Sequence, residues 1–129
     1  MTNDKTALLL RTIARRTNEG RIPWTQTSTE NAFIVSFPNS SIRIVRESGY
    51  DDDAFEEYTI YNIEVLNLDG QIVETIRPVD VHQQIPNAWG FTEALFGKAR
   101  DIALQVDKTI EKLFMDLGGP IDDELPPAQ

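Results

Sequence analysis

Cysteine is absent from these 129 residues, which excludes disulfides and thiolate metal sites and fits a reducing compartment. No apolar run is long enough for a membrane span or a signal peptide, because residues 7–10 are followed at once by Arg11, Arg15 and Arg16. The expected location is cytoplasmic, with no membrane contact, so the acceptor-like string Asn39-Ser40-Ser41 is read as a turn. Positive charge is also scarce. With 12 basic against 21 acidic residues the net charge is −9, and such a field repels phosphate backbones, so direct nucleic-acid binding is not expected.

Catalytic signatures are missing as well. No Gly-x-Ser-x-Gly elbow, His-Glu-x-x-His pair or Ser-x-x-Lys set occurs. Gly90, Gly97 and Lys98 do not make a phosphate loop, since the glycines are too far apart and Ala99 stands where a hydroxyl residue is needed. The single histidine, His82, has no orienting partner nearby in the chain and reads as a loop residue. No catalytic, cofactor-binding or metal-ligating residue is assigned, no cofactor is expected, and an enzyme is not the favoured class.

What is present is enough apolar residue, 40% against 26% charged, to build a packed core. The length suits a single α+β domain over residues 1–119, with residues 120–129 an acidic, proline-rich tail expected to be disordered. A short N-terminal helix is expected from Asn3, which can cap it, to about Asn18. Leu9, Leu10, Ile13 and Thr17 lie on one face, and Arg11 and Arg15 share another with Leu8. Gly20 and Pro23 end it, and Trp24 is expected to pack beneath it.

Alternation predicts strands over 31–37 and 41–46, then over 58–68 and 71–77, a four-stranded antiparallel meander. Asp69-Gly70 supplies positive φ for a two-residue hairpin turn between the last two strands. Residues 47–57, with Asp51, Asp52, Asp53, Glu56 and Glu57, are read as a solvated loop. Their spacing does not match a calcium loop, which leaves cation binding over 51–57 an open question. After an irregular crossing over 79–90, Leu95, Ala99, Ile102, Ala103, Val106, Ile110, Leu113, Phe114 and Leu117 predict one long amphipathic helix, stopped by Gly118-Gly119-Pro120.

Five residues form the candidate binding surface: Arg11, Arg15, Trp24, His82 and Trp89. The arginines are read first as a solvated helix face, and as a candidate surface they suit an acidic partner or the acidic face of a second copy. The two tryptophans either fill the core or line a pocket.

The order helix, Gly20-Arg21-Ile22-Pro23-Trp24, hairpin, Asp69-Gly70 hairpin and closing helix resembles small uncharacterised proteins of bacterial and phage genomes. That resemblance implies a fold and a prokaryotic or viral origin, and carries over no functional residue. Size, acidity and helix framing are also similar to type III secretion chaperones, which implies a homodimer. The leading expectation is a non-enzymatic protein-binding or regulatory module acting through a protein partner or self-association, including an acidic inhibitor that occupies a basic cleft. The alternatives are a secretion-type chaperone for a protein client and a small-molecule binder with a pocket near Trp24 and Trp89.

Overall fold

A computed structural model describes residues 3–121 of the chain, so all but the first two residues of the tail expected to be disordered over 120–129 lie outside the described residues. In order, the elements are α1 (Asn3–Asn18), β1 (Thr25–Gln26), β2 (Ala32–Ser36), β3 (Ser40–Asp51), β4 (Glu56–Asn67), β5 (Ile72–Ile76), α2 (Pro78–Val81), α3 (Ala88–Ala103) and α4 (Val106–Asp116). The strands form one antiparallel meander in sequence order, so the fold is α+β as expected. The sheet has five strands rather than four. The extra one, β1, is two exposed residues paired with Phe33 and Ile34, too short for alternation to register.

Helix α1 buries Ala7, Leu10, Ile13 and Thr17, while Leu8 and Leu9 stay exposed. The inward stripe therefore falls one position away from Leu9, at the three- and four-residue steps that a helix places on one face. A Schellman closure ends α1: Arg21 N–H donates to Arg16 O at 2.8 Å, and Gly20, at φ 74°, donates to Thr17 O at 3.0 Å. The chain then turns so that Trp24 lies beneath the helix, its indole N–H donating to Thr17 Oγ1 at 3.0 Å.

Helix α3 crosses one face of the sheet, where Leu95, Phe96, Ala99 and Ala103 join a core with Phe33, Val35, Ile42, Ile44, Ile63 and Ile76. The ring of Phe96 stands 5.3 Å from Phe33 and 4.9 Å from Tyr61, centroid to centroid. Helices α1 and α2 pack against α3 and contribute Ala7, Leu10, Ile13 and Val81 to the same core. Residues alternating to the other face, such as Ile34, Arg43, Val45 and Glu64, stay half-buried and join no part of that cluster.

Three further expectations are corrected. Residues 47–57 are not a loop: β3 and β4 remain paired out to Asp51 and Glu56, with only 52–55 turning. Charge crowding demands solvent, and a projecting ribbon offers as much of it as a loop does. The β4–β5 connection spans residues 68–71 rather than Asp69-Gly70 alone, with Asn67 Oδ1 accepting from Asp69 N and Gln71 N, and positive φ at Gly70 but not at Asp69. The long C-terminal helix is two helices, split at Leu104 and at Gln105, which takes left-handed φ 54° and ψ 47°. The irregular crossing also holds the single turn of α2.

Two substitutions separate core packing from the buried polar contact. Ile63→Ala should destabilise the protein by about 2–5 kcal/mol through a cavity at the sheet centre. Thr17→Val, of similar volume, should cost about 1–3 kcal/mol because the Trp24 N–H loses its acceptor, and Thr17→Ser should restore most of it. Urea denaturation reads all three, and a neutral Thr17→Val would show that water reaches the indole.

Candidate functional site

The five residues singled out from sequence do not converge on one cavity. Trp24 is 2% exposed and belongs to the core, presenting only an edge to a cleft of about 460 Å³ beside Lys98, Ile102 and Val106. Trp89, by contrast, is 47% exposed and stacks with His82, ring centroids 5.9 Å apart at 39°. None of the main clefts is lined by both tryptophans. Among the described residues no hydrogen bond or ion pair orients the His82 imidazole, which a general base requires. Also among them, no three His, Asp or Glu side chains are grouped to hold a metal ion.

Arg11 and Arg15, one helical turn apart on α1, do share a cleft of about 370 Å³, with Ala14, Asn18, Glu19 and Phe91. Arg11 also reaches across to the loop before α3, donating to Gln84 O at 3.4 Å. The acid at the rim, Glu19, is held by Arg16 at 2.9 Å and lies 3.7 Å from Arg21. The hydrogen bond from Arg16 holds the Glu19 carboxyl below its ordinary value, assisted by the charges of Arg16, Arg21 and Arg15. Glu19 is engaged by its neighbours, and Arg11 and Arg15 form no ion pair among the described residues.

Three features escaped sequence reasoning. First, α4 buries no side chain: Leu113 is 54% exposed and Leu117, the residue that caps the helix, 70%, with Ile110 and Phe114 also open. Second, beyond the pair Arg46–Tyr61, five residue pairs of β3 and β4 have no third strand beside them, an arm of roughly 17 Å. It carries Glu47, Asp51, Asp52, Asp53, Glu56 and Glu57, with Tyr50, Tyr58 and Phe55 exposed among them. Third, a cavity of about 540 Å³ lies where Arg46, Arg100 and the 26–30 loop meet. The first two carried a signal in the unbroken stripe and the acidic run. The third carried none, since its arginines lie far apart in the chain.

Compared with protein families, with curated proteins and with solved structures, the chain matches none. Among the described residues no helix is long and apolar enough to cross a membrane.

The Glu19 contact gives a pH-dependent prediction. Because its folded pKa is lowered, its contribution to stability is present above the unfolded glutamate value and is lost as pH falls through the folded one. An NMR titration should find the Glu19 carboxyl titrating below the ordinary 4.5, and Arg16→Gln should return it toward that value. An unchanged midpoint in that variant would remove Arg16 as the main cause.

Proposed function

We propose that this protein is a non-enzymatic protein-binding module and that α4 is its docking element. The observation that carries this reading is an amphipathic helix with its apolar side uncovered. Val106, Ile110, Leu113, Phe114 and Leu117 recur at helical spacing on one side, while Lys108 and Lys112 lie on the other. Nothing in the sequence of α4 explains that stripe as a solvated surface, and each such side chain is worth about 1.5–3 kcal/mol on full burial. An amphipathic helix laid into an apolar groove, or against another apolar helix, is a common recognition mode. The junction at Leu104 and Gln105 gives α4 few contacts with the body beyond α3, which suits an element that meets a partner.

A second observation favours the narrower reading of an acidic inhibitor that occupies a basic cleft. Asp51 lies directly opposite Glu56 on the arm, and like charges facing each other across a ladder are destabilising. A two-stranded ribbon is itself marginal in water. A cationic cleft would relieve the repulsion and cover Tyr50, Phe55 and Tyr58, with Phe55 at 81% exposure the most open of the three.

Photo-crosslinking tests the docking reading. A benzoylphenylalanine in place of Leu113 should form one dominant protein adduct in cells, with a second copy or with another protein, whereas the same group in place of Lys112 should not. Leu113→Ser with Phe114→Ser should abolish association while shifting stability by no more than about 0.5 kcal/mol per site, because neither is buried. Absence of an adduct at Leu113, or a large loss of stability in the double variant, would overturn the proposal. For the arm, replacing Asp51, Asp52 and Asp53 by Asn should weaken partner binding and flatten its salt dependence.

A further inference from the structure

The geometry points to a site for a phosphate monoester of a small polar molecule in the cavity between α3 and the β1–β2 loop. This goes beyond the protein-docking reading and does not rest on it. The cavity, about 540 Å³, has Gln26, Ser28, Thr29, Glu30, Arg46 and Arg100 in its lining. That size falls within the range of small-molecule sites, about 300–1,000 Å³, and leaves room for more than a bare phosphate.

Its cationic side is built by two separate elements. Arg46 continues the front face of β3 after Ile42 and Ile44, where its guanidinium carbon sits 5.7 Å from the centroid of the buried Phe96 ring. Arg100 follows Phe96 by one turn of α3, so the two guanidinium groups approach the cavity from sheet and helix. Among the described residues Arg46 makes no ion pair, and the acid nearest Arg100 is its chain neighbour Asp101 at 3.7 Å. In a chain of net charge −9, two arginines at one cavity, of which Arg46 makes no ion pair among the described residues, stand against the general field.

The opposite wall is a run of hydroxyls. Thr27 Oγ1 fixes the loop by bonding Ala32 O at 3.0 Å and accepting from Thr29 N at 3.2 Å. That leaves the Ser28 hydroxyl without a partner among the described residues, beside Thr29. Guanidinium forks and hydroxyl donors are the groups that hold a phosphoryl oxygen set. Glu30 opposes an anion at its own position but accepts from ligand hydroxyls, and Gln26 can do the same, which together favour a hydroxyl-bearing monoester.

Titration of the ¹⁵N-labelled protein, following backbone and arginine Nε–H signals, tests the site with inorganic phosphate, glucose 6-phosphate and succinate as separate probes. Expected are saturable shifts at Arg46, Arg100, Ser28 and Thr29, with glucose 6-phosphate bound more tightly than phosphate. Arg100→Gln, at an exposed side chain, should weaken binding about tenfold or more while leaving the remaining spectrum intact. Arg46→Gln should do likewise, and if it fails to fold the Arg100 variant still decides. No saturable shift at tens of millimolar, or unchanged affinity in Arg100→Gln, would overturn the site. Succinate binding as well as phosphate would overturn its phosphate character, and equal affinity for the two phosphates would overturn the monoester.

Discussion

The seating of α3 across the front of the sheet is the contact on which the rest of the molecule depends. Phe96 meets Phe33 and Tyr61 at aromatic contact distance, and Ala99 lets the helix lie close to the strands. Ile44 and Ile63, paired across the two central strands, have no exposed surface. The other helices lean on the same support, since α1 and α2 pack against α3 more than against strands. Loosening α3 would expose the sheet face and leave Leu10, Ile13 and Val81 without a floor.

That support has a limited extent, and the protein's most accessible surfaces begin where it stops. Burial along the C-terminal helices ends at Ala103, and every residue of α4 is open or half-open. Along β3 and β4 it fades past Ile44 and Tyr61, and the ribbon continues with mutual pairing alone. Charge follows the same division. Carboxylates gather on the arm, whereas Arg11, Arg15 and Arg16 lie on the outer face of α1. The other face of the sheet is joined by Arg43 to Glu64 at 2.6 Å, a partly exposed pair that fixes side-chain positions more than it adds stability.

Much of the fold was legible because it rests on local periodicity. The three- and four-residue steps from Ala7 to Thr17, the alternation around Phe33, Ile44 and Ile63, and the glycine-rich stops each follow from backbone geometry within a few residues. The candidate site was far less legible. Arg11 and Arg15 could be placed together, one turn apart, but Trp24 and Trp89 differ only in what surrounds them, and the alternation that predicts a strand says nothing about its neighbours. Arg46 and Arg100 meet only because α3 is folded back over β3, a relation that no spacing encodes.

By itself, the order of residues determined the α+β class, the antiparallel meander, the two ends of α1 and the acidic, cysteine-free character of the chain. These depend on interactions between near neighbours and on charge that sums without regard to shape. Tertiary structure alone decided that the stripe from Leu95 to Leu117 divides into a buried half and a bare half. A single left-handed residue, Gln105, interrupts the helix without changing its hydrophobic period, and the sheet ends before α4 can be covered.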